Sequence, residues 1–208
     1  MEYFSASSIL FPFVLSLYFL KSSPKYFRFF YSYIYISLLL EIICVTLGIY
    51  HVHNNFLSHL DTLNEVIFLG YFYRQIFQNK IIRKLLYFLI PILSLFIIIN
   101  AFFIQGLDHF NSYSRTISSF FFILISLGFF TQLFLQASSI HIEQNSLFWI
   151  TAGILFYFSS TLFVFLMYRN KNYNMTDTLS VQIWYLNSIF NIFQNLLFSI
   201  GIVCTRKM

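Results

Sequence analysis

The sequence predicts an all-α fold: a polytopic membrane protein, a seven-transmembrane-helix bundle with its N-terminus outside and its C-terminus cytoplasmic. Three observations carry this expectation. Of 208 residues, 59% are apolar and only 9% charged, with a mean hydropathy of +0.75. A soluble domain typically has about 25% charged residues, so this chain lacks the polar surface to face water on all sides. Its apolar residues also come in long blocks, not in the alternating segments of about ten residues that mark a membrane β-barrel. Finally, the basic residues cluster in the short loops between blocks.

A helix needs roughly 20 mostly apolar residues to cross the hydrocarbon core. The first span is expected at 5–21. No basic residue precedes its apolar run from Ile9 to Leu20, and no small-x-small cleavage site follows it. It therefore reads as a retained helix, not a removed signal peptide. The second and third spans are placed at 28–50 and 56–77. The fourth, 85–104, contains Pro91, tolerable where neighbouring helices satisfy the freed carbonyl. The fifth, sixth and seventh follow at 116–137, 147–168 and 181–204. Short connections and the lack of any repeat make 1–208 a single transmembrane domain.

Orientation follows from the basic residues. Lys21, Lys25, Arg28, Arg74, Lys80, Arg83, Lys84, Arg206 and Lys207 fall on one side, and Arg115, Arg169 and Lys171 on the other. That asymmetry places the richer side of this multi-pass chain in the cytoplasm. The formal charge of +5 is thereby accounted for, and no basic stripe on a soluble fold points to nucleic acid. Cys44 and Cys204 fall near opposite membrane faces and are not expected to pair.

The third span, FLSHLDTLNEVIFLGYFYRQIF, is the anomalous one. Its apolar part, Val66 to Phe77, is about 18 Å long as a helix, too short to span alone. The preceding half must therefore face protein or water. Ser58, Asp61, Thr62 and Glu65 recur at helical spacing on one face, and His59 borders it. Glu41 on the second span and Glu65 on the third each lie about 13 Å below the outer end of their helices. Two carboxylates at matching depth could share a proton or a cation. Acids buried in a membrane are functional candidates by default, and Asp61 is shallow enough to be solvated.

The seventh span adds Trp184, Asn187, Asn191 and Gln194 or Asn195 along one side. This stripe reads either as ligand-facing polar groups or as glue between helices, worth about 0.6–2 kcal/mol per contact. With Ser159, Ser160 and Asn100 it suggests an outward-opening polar pocket.

His51, His53 and His59 followed by Asp61 and Glu65 offer metal-like donors, but not at the spacing of a specific zinc site. No nucleophile elbow, phosphate-binding glycine loop or His-Glu-x-x-His motif occurs. No metal and no cofactor is therefore expected. His109 and His141 are isolated, and Asn174-Met-Thr176 matches a glycosylation sequon.

LLLEIICVTLGIYHVHNNFLSHLDTLNEVIFLGYFY resembles the second and third helices of an uncharacterised family of small bacterial seven-helix membrane proteins. That family tends to show a helix-borne Glu, an Asn-Asn pair, a His and a second helix-borne Glu, matched by Glu41, Asn54, Asn55, His59 and Glu65. LFWITAGILFYFSSTLFVF resembles its sixth helix through Trp149, Gly153 and Tyr157, and WYLNSIFNIFQNLLFSIGI its seventh through Trp184, Asn191 and Asn195. The family often has a histidine where this chain has Leu186 or Asn187. The chain also resembles, more loosely, the membrane-sensor halves of bacterial histidine kinases; any output domain would then be a separate protein. The resemblance implies a bacterial inner-membrane protein and brings no activity.

The function expected from these readings is non-enzymatic binding or sensing of a small molecule or lipid in an outward-facing pocket. Its lining would be Glu41, His59, Asp61, Glu65, Trp184, Asn187 and Asn191. Membrane lipids and a cytoplasmic signalling protein are the expected partners. An intramembrane metal-assisted lipid hydrolase using His59, Asp61 and Glu65 is the alternative. A proton- or cation-coupled transporter using Glu41 and Glu65 ranks below it, because no inverted repeat is visible.

Overall fold

The structure, a computed structural model, describes residues 2–109, 111–136, 142–169 and 177–205, with side chains for 4–109, 111–135, 142–164 and 185–205. The sequon at 174–176, His141, Lys171, Arg206, Lys207 and the side chains of Arg169 and Trp184 lie outside the described residues. Every regular element among the described residues is helical. These are α1 (Glu2–Ser8), α2 (Leu10–Phe19), α3 (Phe27–Ile49), α4 (Asn55–Asn64), α5 (Gly70–Ile76), α6 (Lys80–Ile99), α7 (Ser112–Gln136), α8 (Ser146–Arg169) and α9 (Asp177–Cys204). Two π-helical segments, Glu65–Leu69 and Asn100–Ile104, join α4 to α5 and extend α6.

Five helices are long and apolar enough to cross a membrane: Phe27–Ile49, Lys80–Ile104, Ser112–Leu135, Ser146–Val164 and Tyr185–Cys204. They correspond to the expected second, fourth, fifth, sixth and seventh spans. The first expected span is helical, but its apolar stretch, Phe4–Phe19, is shorter. The third is helical from Asn55 to Ile76 and polar in its first half.

Two boundaries differ from the sequence reading for a physical reason. Hydropathy alone starts the fourth span after its basic residues. The helix instead starts at Lys80, where the Asn79 side chain accepts a hydrogen bond from the Ile81 N–H at 2.8 Å, a standard N-cap that satisfies an orphan donor. α7 likewise starts at Ser112 rather than 116, which brings Arg115 from an expected loop into the first helical turn. Pro91 sits inside α6 without ending it.

The chain divides into two compact units, Pro24–Ser118 and Met1–Ser23 with Ser119–Met208. In the unit Pro24–Ser118, α3, the α4–α5 rod and α6 pack together. Their core is aromatic: Phe27 and Phe30 of α3 meet Phe72 of α5 at ring-centroid distances of 6.0 and 5.4 Å. Such contacts add about 0.5–1.5 kcal/mol each beyond area burial. Gly70 lets α5 approach α6, since a Cβ there would lie 2.9 Å from Ile90 Cγ1. Large apolar side chains such as Ile81, Phe88 and Ile92 remain exposed, as expected of helices whose solvent is lipid.

In the unit formed by Met1–Ser23 and Ser119–Met208, α8 lies along α9, and α1 and α2 also pack on α9. The α8–α9 contact is close because of small residues, the usual device of membrane helix pairs. A Cβ on Gly201 would fall 2.7 Å from Ile150 Cγ1, and one on Gly153 would fall 3.1 Å from Phe198. The Ser146 hydroxyl donates to the Gly201 carbonyl at 2.5 Å.

Candidate functional site

The unit Pro24–Ser118 holds a polar cluster where α4, the two π-helical segments and the start of α7 meet. α4 carries Asp61, and the next turn begins the π segment with Glu65. One turn apart on a helix, the two acids project to the same side and meet the same guanidinium. Arg115 donates from Nη2 to Asp61 Oδ2 at 2.5 Å and from Nη1 to Glu65 Oε1 at 2.6 Å. The side chains of Arg115 and Glu65 are 9% and 2% exposed, whereas that of Asp61 is 30% exposed. Charge-assisted pairs of this kind are about twice as strong as neutral hydrogen bonds. They hold a cation in the first turn of α7, where the helix dipole alone disfavours it by about 0.3–1 kcal/mol.

A side-chain amide network surrounds this ion-pair cluster. Asn100 opens the second π segment and donates to Gln105 Oε1 at 2.8 Å, Ser114 Oγ at 2.9 Å and Asn111 Oδ1 at 3.1 Å. Asn111 donates in turn to Thr62 Oγ1 at 3.0 Å, and Gln105 donates to Ser112 Oγ at 2.9 Å. The end of α6, its following loop and the start of α7 are thus tied to α4. π-helical turns recur at functional sites because the extra residue re-aims side chains, and here both π segments begin on a residue of the cluster.

Glu41 is half-buried on α3 and feels the charge of Asp61. It has no hydrogen-bond or ion-pair partner among the described residues. Glu65, its expected companion, is paired with Arg115 instead. His59 is buried, 3% exposed, against the backbone of Gly106 and His109, and neither ring nitrogen makes a hydrogen bond of normal geometry. Glu65 Oε2 and Asn100 Oδ1 are likewise buried without a partner. Buried polar atoms are normally satisfied, so these orphans mark where a ligand or water would be favoured.

The other residues of the Glu–Asn–Asn–His–Glu pattern have structural work. Asn54 donates to the Cys44 carbonyl at 3.3 Å and closes the α3–α4 turn. Asn55 donates to the Asp108 carbonyl at 2.7 Å.

The seventh-span residues belong to the other unit. Asn195 donates to Asn191 Oδ1 at 3.0 Å and to Ser8 Oγ at 2.8 Å, which joins α9 to α1. Asn191 is therefore engaged within α9, while Asn187 keeps a buried, unpartnered Oδ1.

Sequence reasoning singled out Asn100 as a polar residue near the outer surface but missed Arg115, Asn111 and Gln105 as parts of this cluster. Arg115 was readable as an outer-loop cation. The signal that points to it is the pair of acids one turn apart inside a membrane-length helix, which requires a cation at the same depth. No protein-family model, curated protein or solved structure matches the chain, so the chemistry of these residues carries the functional reading.

Proposed function

We propose that the chain is a non-enzymatic, multi-pass inner-membrane protein that binds a small molecule carrying a cationic group. In this reading it has seven spans, with the N-terminus outside and the C-terminus cytoplasmic. The ligand enters on the Glu41–Asp61 side of the cluster, and binding is relayed to a cytoplasmic partner.

The observation that supports this most directly is the charge balance. Asp61 and Glu65 share one guanidinium, Arg115, and a third carboxylate, Glu41, lies within electrostatic reach of Asp61. The surplus lies on Glu41, which has no cation, and on Asp61, which is partly exposed. A protonated amine placed there completes the pairing. The orientation is supported by the same pairing: with Arg115 neutralised by its acids, the loop charge stands at nine against two, a stronger positive-inside bias.

A metal-assisted hydrolase at His59, Asp61 and Glu65 fits less well. The Arg115 guanidinium already bridges the two carboxylates, and no group of three His, Cys, Asp or Glu side chains among the described residues is placed to hold a metal.

The test is ligand-dependent stabilisation of the purified protein across a panel of primary and quaternary amines and matched neutral analogues. Stabilisation by amines alone, lost in Glu41→Gln and kept in Lys21→Gln, is the expected result. Equal stabilisation of wild type and Glu41→Gln by every active compound sinks the reading.

A further inference from the structure

We infer that the cleft between the end of α5 and the start of α6 binds the phosphate headgroup of an anionic phospholipid. The cleft measures about 540 Å³ and is lined by Arg74, Lys80, Arg83, Lys84, Tyr87 and Phe88. Lys80, Arg83 and Lys84 recur at i, i+3 and i+4 and therefore share one face of α6. Arg74 comes from α5, its guanidinium 5.2 Å from the centre of the Tyr87 ring. Its Nε is buried without a hydrogen-bond partner.

No carboxylate lines this cleft, and none of its four cations has an ion-pair partner among the described residues. Four cations held this close repel one another, so the cleft favours an anion that accepts several N–H bonds at once. A phosphodiester does this, and guanidinium groups match its geometry.

The tail of the ligand is indicated by α6 itself. Ile81, Leu85, Phe88, Ile92 and Leu95 are all exposed. Their spacing of three or four residues makes one stripe, and it starts at the cleft. From Ile81 to Leu95 the stripe runs about 21 Å along the helix, more than the roughly 15 Å of one leaflet's hydrocarbon. α6 is also among the helices long and apolar enough to cross a membrane. An anionic head at one end of an apolar track describes a lipid and not a free phosphate. Basic pockets beside membrane helices are a recurrent form of headgroup site.

The test uses the full chain purified in mild detergent and titrated with phosphatidylglycerol or phosphatidylcholine, with bound lipid counted by native mass spectrometry. Arg83→Gln/Lys84→Gln removes two exposed cations of the cleft, and Lys21→Gln/Lys25→Gln removes the same charge from another loop. Wild type and the loop variant should prefer phosphatidylglycerol to phosphatidylcholine. The cleft variant should bind phosphatidylglycerol about thirtyfold more weakly, as two interfacial charges imply. Wild-type retention in the cleft variant overturns the site. An equal loss in the loop variant also overturns it, because the attraction is then diffuse loop charge. If glycerol phosphate displaces the lipid at equal concentration, the cleft reads a soluble phosphate and the lipid assignment fails.

Discussion

Arg115→Gln is the most informative single perturbation of the cluster. It removes two short charge-assisted hydrogen bonds at once and leaves Glu65, whose side chain is 2% exposed, without a counter-charge. Breaking a buried ion pair by deleting one partner costs about 3–5 kcal/mol. Asp61 is 30% exposed and can turn to solvent, so its share is discounted and the lower figure applies. Removing a cation from the first turn of α7 offsets about 0.3–1 kcal/mol of this. The net expectation is about 2–2.7 kcal/mol, or roughly a 30- to 85-fold shift in the unfolding equilibrium. Equilibrium unfolding in mixed micelles of rising anionic-detergent fraction, followed by helical circular dichroism, reads it directly. The double variant Glu65→Gln/Arg115→Gln should recover most of the loss, because no bare carboxylate then remains in the core. A single variant as stable as wild type, or a double variant no more stable than the single, refutes the argument that Arg115 neutralises Glu65.

Three further outcomes follow from other contacts. Gly201→Ala should destabilise the α8–α9 pair by about 1–3 kcal/mol through overpacking, since the new Cβ meets Ile150 at 2.7 Å and the Ser146 carbonyl at 3.1 Å. Gly48→Ala, with nothing within 4 Å, should be neutral or slightly stabilising in the same unfolding assay, and similar losses in both would undo the packing argument. Asn100→Leu strips the amide NH2 that is shared among Gln105, Asn111 and Ser114; it should lower stability by about 1–3 kcal/mol and speed amide exchange around Asn111, and unchanged exchange there would show that the network does not tie α6 to α4. Elemental mass spectrometry should find the same metal content in wild type and His59→Ala, and stoichiometric zinc lost in the variant would restore the hydrolase reading.

Much of the helical layout is legible in the sequence, because long apolar blocks leave a chain few alternatives in lipid. The anomaly of the third span is legible too: a polar half-helix in a membrane-length segment has to face protein or water, and the fold decides between them, with His59, Thr62, Asn64 and Glu65 all buried. What hydropathy conceals is the other half of the pairing. Asn111-Ser-Tyr-Ser-Arg115 reads as a loop, yet its residues after Asn111 are the first turn of α7, where Arg115 pairs with Asp61 of α4 and Glu65 of the first π segment. The two π segments are also hidden, because a single widened turn leaves the 3.6-residue periodicity of its neighbours intact. The cleft at α5–α6 is hidden for a different reason. Its cations are those of the topological bias, and only the fold places Arg74 opposite Lys80, Arg83 and Lys84.

The two polar ends of the unit Pro24–Ser118 call for different mutational signatures. At the Asp61–Glu65–Arg115 end, the protein satisfies most of its own charge, so substitutions there act first on stability. Glu41 and His59 stand apart. Glu41 is partly exposed and has no polar partner whose loss would destabilise the fold, whereas His59 is buried against the backbone of Gly106 and His109. Replacing a polar group that has no partner by an isosteric neutral one removes no hydrogen bond and is nearly neutral for folding. Glu41→Gln should therefore leave the unfolding midpoint in place while abolishing the response to amines, whereas Arg115→Gln should move both. That split separates a binding residue from a structural one, since a ligand shifts a protein only through a group whose interaction differs between bound and free states. A Glu41→Gln variant that unfolds as easily as Arg115→Gln would assign Glu41 to the scaffold and leave the binding proposal without its principal contact.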